Sequence, residues 1–274
     1  MRLALIGDII GRAGRVGLAE HLPRLRRRLK LDFVMVNAEN AAGGFGVTPS
    51  VCEELFDAGA DILTTGNHAF DQRDDLDLFD QEMRLLRPAN FPASNPGRGS
   101  ALKQTQDGAN VLVINVQGQI MMPPIDDPGA AVDRELEGVE LGREADAILV
   151  DMHAEATSEK YALGHYLNGR VTAVVGTHTH VPTADAHIMS RGSAFMADLG
   201  MSGDYDSVIG MEKSEPVNRF ATKMNRNRFN PATGPATVCG LFVETDAGGR
   251  AVRAEPIRVG GVLSEALPRL SEDE

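Results

Sequence analysis

Two histidines one residue apart, His178 and His180, follow an apolar run of mostly β-branched residues. That run, residues 171–175, is typical of a buried strand, and Gly176 is expected to end it. In an extended or tightly turning segment alternate side chains point the same way, so both imidazoles can face one pocket. Because neutral imidazole is the commonest metal ligand in proteins, the pair indicates a metal site.

Other predicted strands also run into side chains that can bind metal. Predicted strands over 2–6, 33–36 and 61–65 each end in a polar cluster, and the strand over 147–153 ends in a histidine. In open α/β sheets ligands bind outside the carboxyl ends of the strands, so these clusters should converge. The converging set comprises Asp8, Glu39, Asn40, Asn67, His68, His153, His178 and His180.

The set contains two carboxylates, two amides and four imidazoles, and it contains no thiolate. Oxygen and nitrogen ligands of this mixture suit first-row ions such as manganese or iron, whereas a structural zinc site would normally use cysteine. A set of this size is too large for one ion and suits two ions that share a carboxylate. Two ions about 3.5–4 Å apart can clamp the attacking and leaving oxygens of an in-line phosphoryl displacement.

The elements that must position these residues alternate between strand and helix, which predicts an α/β fold. Helices are expected over 16–29, 48–58, 74–83 and 156–167, and further strands over 110–117 and 195–198. Thr48 or Ser50 is the expected N-cap of the second helix. Residues 123–129 should be loop, and a hairpin is expected around 246–249. With no internal repeat and no clear linker, residues 1–274 are predicted to form a single domain with a frayed tail after 267.

Composition excludes several classes of function. The chain has 274 residues, 42% hydrophobic and 24% charged, as in ordinary globular proteins. A net charge of −12 argues against a general nucleic-acid coat or an anionic membrane surface. Apolar runs are too short to span a bilayer, and Gly7-Asp8 interrupts the opening run before a signal sequence can form. Cys52 and Cys239, far apart and without a C-x-x-C pattern, indicate a reduced, cytoplasmic location.

Residues 213–235 form a basic segment within an acidic chain. Two interpretations stay open: a solvated loop or subunit contact, and a contact with a substrate phosphate or nucleotide. A homo-oligomer is compatible with the first of these.

In order and spacing, Asp8 and His153 together with residues 37–40, 66–68 and 176–180 resemble the five motifs of the calcineurin-like metallophosphoesterases. More narrowly, the sequences GDIIG, NAEN and GNH in the first three motifs resemble the bacterial YmdB-like family of 2′,3′-cyclic-nucleotide 2′-phosphodiesterases.

Two departures from the broad superfamily match this narrower family. Ile10 stands where the superfamily's D-x-H motif has a histidine ligand, and Glu39 stands where it has a bridging aspartate. Asn40 looks like the ligand that compensates for the missing histidine.

The resemblance implies a four-layer α/β/β/α sandwich and two transition-metal ions, iron or manganese. The implied ligands of one ion are Asp8, Glu39, Asn40 and His180, and those of the other are Glu39, Asn67, His153 and His178. Glu39 would bridge the two ions. His68 would stay off the metals and protonate the leaving oxygen, a role that suits an imidazole near neutral pH.

The reaction implied by the resemblance is hydrolysis of nucleoside 2′,3′-cyclic phosphates to 3′-nucleotides, through attack by a metal-bridging hydroxide. The departure of the 2′-oxygen rests on the resemblance alone. A phosphomonoesterase or protein phosphatase with the same metals is the alternative, because the loops that select the substrate cannot be folded from sequence.

Two functions of other classes fit the residues less well. Gly7, Gly11 and Gly14 resemble a dinucleotide-binding turn, but their spacing is G-x-x-x-G-x-x-G, and Asp8 would lie beside a pyrophosphate. That hypothesis also leaves four histidines unexplained. A non-catalytic regulator that kept the fold would not need Glu39 and His68 together with the amide ligands.

Overall fold

Short apolar runs form two mixed β-sheets in the computed structural model, which describes residues 1–270. In chain order the strands are β1 (Arg2–Ile6), β2 (Phe33–Asn37), β3 (Ile62–Thr64), β4 (Ser100–Gln104), β5 (Asn110–Gln117), β6 (Ala147–His153), β7 (Ala173–Thr177), β8 (His187–Ile188), β9 (Ala194–Met196), β10 (Gly203–Asp204), β11 (Ala236–Thr245) and β12 (Ala251–Gly260). The helices are α1 (Gly11–Leu29), α2 (Pro49–Asp57), α3 (Leu78–Gln81), α4 (Pro128–Glu135), α5 (Thr157–Leu167) and α6 (Ser214–Thr222), with a 3₁₀ turn at Arg73–Asp75.

The first sheet has the order β10-β11-β1-β2-β3, and β12 pairs with β11. Strands β1, β2 and β3 are parallel, whereas β11 runs antiparallel to β1. The second sheet has the order β4-β5-β6-β7-β9-β8, with β5, β6, β7 and β9 parallel. Each sheet therefore has a parallel centre whose carboxyl ends share one edge.

The two sheets pack face to face, and helices cover their outer faces. Side chains such as Leu5 and Met35 of the first sheet and Leu149 and Val175 of the second form the apolar layer between the sheets. Residues of α1 and α2 pack on the outer face of the first sheet, and residues of α4 and α5 pack on that of the second. The molecule has the predicted four-layer α/β/β/α architecture. No helix within residues 1–270 combines the length and the apolar character needed to cross a membrane.

Most predicted elements are confirmed, including the C-terminal hairpin of β11 and β12. Thr48 caps α2, since its hydroxyl accepts from the Val51 N–H at 3.4 Å. The end of β7 was predicted two residues too early, because Gly176 lies within the strand, which ends at Thr177. A Cβ at Gly176 would overlap the Ala197 carbonyl, so this glycine permits a close backbone approach and does not terminate the strand. Of the tail expected to fray after residue 267, residues 271–274 lie outside the described residues.

Other predictions of secondary structure were wrong for identifiable reasons. Helix α1 begins at Gly11 rather than near residue 16, because its early glycines lower helix propensity and hide the start. The predicted loop over 123–129 gives way at Pro128 to α4, which Asp127 caps by accepting from the Ala130 N–H at 2.7 Å. The helix predicted over 74–83 is a 3₁₀ turn and the four-residue α3, as an aspartate-rich stretch of low helix propensity allows.

Several elements were not predicted at all: the two-residue strands β8 and β10, the strand β4 and helix α6. The edge strand β4 has the sequence SALKQ, which contains no apolar run longer than two residues. Within the basic segment, α6 is held by Glu215, which is paired with Arg219 at 2.8 Å and accepts from the Arg226 N–H at 2.9 Å.

A buried ion pair joins α5 to the strand end of β9. The Lys160 ammonium lies 2.8 Å from an Asp198 carboxylate oxygen, and both side chains are 1% exposed. Asp198 also accepts from the backbone N–H of Thr179 at 3.1 Å and from its hydroxyl at 2.7 Å. The pair therefore anchors the turn that follows β7.

We expect Lys160→Met to lower the free energy of unfolding by about 3 kcal/mol, because removing one partner leaves a buried charge uncompensated. Chemical denaturation monitored by circular dichroism measures the change. Lys213→Met is the matched control, since the Lys213–Asp206 pair has similar geometry, 2.8 Å, but side chains that are 53% and 75% exposed. That exposed pair should contribute little to stability, because solvent screens its charges. Equal losses for the two variants would contradict this account.

Candidate metal centre

The predicted ligand residues lie at the shared carboxyl edge of the two sheets. Asp8 follows β1, and the 39–40 pair follows β2. In the second sheet His153 is the last residue of β6. The parallel strands of both sheets thus deliver side chains from distant parts of the chain to one place.

Two overlapping clusters form there. Ligand atoms of Glu39, His153 and His178 lie within 4.8 Å of one another, and so do those of Asp8, Glu39 and His180. Glu39 is common to both clusters. This arrangement could hold two cations that share one carboxylate.

The two amide side chains lie beside these clusters. Asn67 Oδ1 is 3.0 Å from His153 Nε2. Asn40 Nδ2 is 3.2 Å from Glu39 Oε1 and 3.2 Å from His180 Nε2. Each cluster therefore has one amide side chain within hydrogen-bond distance of one of its imidazoles.

Unpartnered oxygens show that the residues fit a cation. Asp8 Oδ1 and Asn40 Oδ1 are buried and have no hydrogen-bond partner among the described residues. Buried polar atoms are nearly always hydrogen-bonded, so two orphaned acceptors in one place indicate a positively charged ligand. The mixture of carboxylate, amide and imidazole is the donor set of borderline or hard first-row ions.

The electrostatics of the metal-free chain support this conclusion. Burial would raise the pKa of Glu39, but the neighbouring His153 more than offsets it and holds that pKa below its usual value. Burial would likewise lower the pKa of His153, yet Glu39 raises it above its usual value. The two groups form an ion pair with Nε2 and Oε1 3.0 Å apart. A metal ion would replace the His153 proton as the positive charge at this carboxylate.

Two further groups have strongly shifted pKa values. Burial raises the pKa of Asp8 to about 6, since a carboxylate without solvent is costly. Burial and the adjacent His153 charge lower the pKa of His178 to about 3, so this imidazole is neutral and can act as a ligand.

The turn after β7 holds both of its histidines in an uncommon backbone conformation. His178 has φ +95° and His180 has φ +65°. Non-glycine residues rarely adopt positive φ, and such strain persists only when the surroundings enforce it. The hydrogen bonds from Thr179 to Asp198 supply that restraint.

Each of these imidazoles also has its second nitrogen engaged. His180 Nδ1 donates to the Ile209 carbonyl at 2.8 Å, which leaves Nε2 for the cluster. His178 Nε2 lies 3.3 Å from Glu155 Oε2, which leaves Nδ1 for the cluster. Such outer partners fix the ring orientation of metal-binding histidines. Sequence reasoning missed Glu155, although it stands two residues after His153.

Glycine at position 66 is a packing requirement. A Cβ added there would overlap the imidazole ring of His153. In the GNH sequence, Gly66 leaves room for the His153 ring, Asn67 contacts that ring, and His68 is the third residue.

His68 lies at the cavity but outside both clusters. Its Nδ1 is 2.8 Å from Asp71 Oδ2, and its backbone N–H points to Glu39 Oε2 at 3.3 Å. Its ring packs edge-on against Phe45, with centroids 5.0 Å apart. Sequence reasoning did not identify Asp71, for which the signal was a carboxylate three residues after the histidine.

The clusters open into a cavity of about 410 Å³. Its polar wall includes His68, Glu155 and the histidine turn. Its apolar wall comprises Phe45, Val208, Ile209, Met211, Pro216 and Phe229.

The basic segment contributes apolar groups to this cavity. Among the described residues, Pro216 and Phe229 are the members of the segment that line it. Arg219 is bonded to Glu215, and its guanidinium lies over the Phe229 ring, 3.9 Å from the centroid. Arg219 thus supports the wall, and no cation of residues 213–235, all of which the structure describes, lines the cavity.

Solved structures share this fold. A hypothetical protein from Thermus thermophilus superposes with a TM-score of 0.88 at 39% identity, covering 95% of this chain and 100% of the other. A Mycoplasma pneumoniae protein described as a novel phosphatase superposes with a TM-score of 0.87 at 33% identity, covering 95% and 93%.

Sequence comparison leads to the same group. The chain is 42% identical over 246 residues to the 2′,3′-cyclic-nucleotide 2′-phosphodiesterase of Bacillus subtilis, covering 90% of this chain and 92% of that protein. It is 34% identical over 265 residues to a putative phosphatase/phosphodiesterase of Mycoplasma genitalium, covering 94% and 93%. Residues 4–257 match the model of the YmdB-like protein family. With motifs, fold and clustered ligands in agreement, the chain belongs to the YmdB-like family.

Proposed function

We propose that this protein is a metal-dependent phosphodiesterase that hydrolyses nucleoside 2′,3′-cyclic phosphates to 3′-nucleotides. The observation that carries the proposal is the pair of ligand clusters sharing Glu39 at the base of a cavity. The choice of substrate follows the relative from Bacillus subtilis, with which the chain shares 42% identity.

The ligand assignment is the one implied by the sequence motifs. Asp8, Asn40 and His180 would hold one ion, Asn67, His153 and His178 would hold the other, and Glu39 would bind both. Iron and manganese are the ions that this donor set favours. When bound, such ions supply Lewis acidity toward the phosphate oxygens and lower the pKa of water.

His68 is proposed to donate the proton that the leaving oxygen needs. Asp71 accepts from Nδ1, which orients the ring and leaves Nε2 as the donating atom. A general acid must lie within hydrogen-bond reach of the oxygen it protonates, and His68 lines the cavity beside Glu39. The edge contact with Phe45 restricts the ring further.

The apolar wall of the cavity favours a nucleoside substrate. Six apolar side chains adjoin the ligand clusters, and a bare phosphate would leave them without a partner. The alternative on the same fold is a phosphomonoesterase or protein phosphatase. The description of the Mycoplasma pneumoniae structure as a phosphatase supports this alternative.

The remaining proposals concern the chain as a whole. We propose that residues 1–274 form one domain acting on small molecules in the cytoplasm. Cys52 and Cys239 are both buried and unpaired, which suits a reducing compartment.

Glu39→Ala is expected to impair binding of both ions, because it removes the one carboxylate shared by the clusters. Asn40→Ala and Asn67→Ala are the matched variants, each expected to weaken one ion. Elemental analysis after equilibration with manganese measures the stoichiometry. Retention of two full equivalents by Glu39→Ala would reject the bridging role.

His68→Ala is expected to keep both ions but to lose about 10²–10⁴-fold in kcat, the usual contribution of a positioned general acid. The loss should be smaller for a nitrophenyl ester, because nitrophenolate leaves without needing a proton. Steady-state kinetics on good and poor leaving groups provides the measurement. Equal losses on both would assign His68 another role, such as orienting the phosphate.

Incubation of the manganese-loaded enzyme with 2′,3′-cyclic AMP should yield 3′-AMP. In-line displacement requires the 2′-oxygen to lie opposite the attacking oxygen, so one product should dominate. Chromatography separates the two nucleotides, and Glu39→Ala serves as the inactive control. Predominant 2′-AMP would refute the bond assigned, and turnover of phosphomonoesters alone would favour the alternative function.

A further inference from the structure

Asp151 is a completely buried carboxylate that is not one of the predicted ligands. It lies on β6 two residues before His153, so both side chains leave the same face of the strand. Three donors reach it: the Thr177 hydroxyl at 2.8 Å, the Thr64 hydroxyl at 2.5 Å and the Asn37 amide at 3.0 Å. These donors come from β2, β3 and β7, so the carboxylate joins both sheets beside the clusters.

One branch of this network leads to His153. The Thr177 hydroxyl has a single proton and donates it to Asp151 Oδ1, so toward His153 Nδ1, 2.9 Å away, it must accept. His153 therefore carries a proton on Nδ1. In the neutral ring the lone pair is then on Nε2, the nitrogen that lies 3.0 Å from Glu39 Oε1 and 3.0 Å from Asn67 Oδ1.

The other branch leads to Glu39. Because Asn37 Nδ2 donates to Asp151, the amide oxygen faces the other way and accepts from the Glu39 N–H at 3.1 Å. One buried carboxylate thus orients an imidazole of one cluster and the backbone of the residue shared by both. Thr64, the third donor, touches neither predicted ligand.

We propose that Asp151 is a positioning residue for metal binding, acting on His153 through Thr177 and on Glu39 through Asn37. The inference rests on the ligand assignment made under the proposed function. Loss of an outer partner of a metal-binding histidine typically weakens metal affinity by about 10–100-fold. Thr177 is the point at which the His153 branch can be cut without adding or removing charge.

The experiment measures the affinity of the metal-stripped chain for Mn²⁺ by titration calorimetry. Thr177→Val, which keeps the shape but removes the hydroxyl, should weaken one of the two ions by about 10–100-fold. Thr177→Ser, which restores the hydroxyl, should bind with nearly the wild-type affinity. Thr64→Val is the matched control: it removes a donor from the same carboxylate but does not touch a ligand, and it should also bind nearly as the wild type does.

Several outcomes would overturn the inference. Equal weakening by Thr64→Val and Thr177→Val would mean that the network serves packing alone. Wild-type affinity in Thr177→Val, with two ions bound by the wild type, would reject this inference and leave the ligand assignment intact. Failure of the wild type to bind Mn²⁺ would reject both.

A measurement on the wild type covers the case in which Thr177→Val does not fold. In the Zn²⁺-loaded chain, ¹⁵N-labelled histidine should show the Nδ1 of His153 protonated and its Nε2 bound to metal, with His153→Gln identifying the signals. A His153 ring with a metal-bound or unprotonated Nδ1 would overturn the inference without any Thr177 variant.

Discussion

The need to keep charged groups stable without water governs this edge of the molecule. Asp8, Glu39 and His153 are all completely buried. An isolated buried charge is very costly, so such groups persist only when paired, hydrogen-bonded or bound to an ion. In the metal-free chain His153 and Glu39 neutralise each other, whereas Asp8 Oδ1 and Asn40 Oδ1 have no hydrogen-bond partner among the described residues. This partial satisfaction is what a binding site requires, because a fully satisfied cluster would not gain from a cation.

The two-sheet architecture is the means by which the chain gathers these groups. Parallel strands direct their carboxyl ends to one edge, and face-to-face packing brings the edges of two sheets together. Buried polar contacts then hold the strand ends at this edge in position. The Lys160–Asp198 pair restrains the histidine turn, and the Asp151 network links β6 and β7 to β2 and β3. The geometry of the candidate ligands is therefore supported by buried polar contacts with residues that are not themselves candidates.

Sequence predicted the strands that carry the candidate ligands, and the convergence of those candidates, because each candidate stands at or just after the end of an apolar run. Local pattern and strand-end logic were sufficient for Asp8, Glu39 or His153. The same logic could not find Glu155 or Asp71, which contact the side chains of His178 and His68 and do not stand at strand ends. Lys160 and Asp198 are separated by 38 residues, and no local sequence pattern indicates that they form an ion pair. Helix α6 was missed for a related reason, since Glu215 supports it through contacts with Arg219 and Arg226.

The cavity is built from two kinds of structural element, strand ends and connecting segments. The ligand clusters come from strand ends, which the sheets hold rigidly. The apolar wall comes from connecting segments far apart in sequence, among them Phe45, Met211 and Phe229. For the basic segment the sequence left open a solvated loop or subunit contact and a phosphate or nucleotide contact. In the structure Arg219 turns toward Glu215 and covers one face of Phe229. Under the proposed function, ions held by the clusters would engage the phosphate, so the cavity would need no further cation, and the segment would present an apolar surface to the organic part of the substrate.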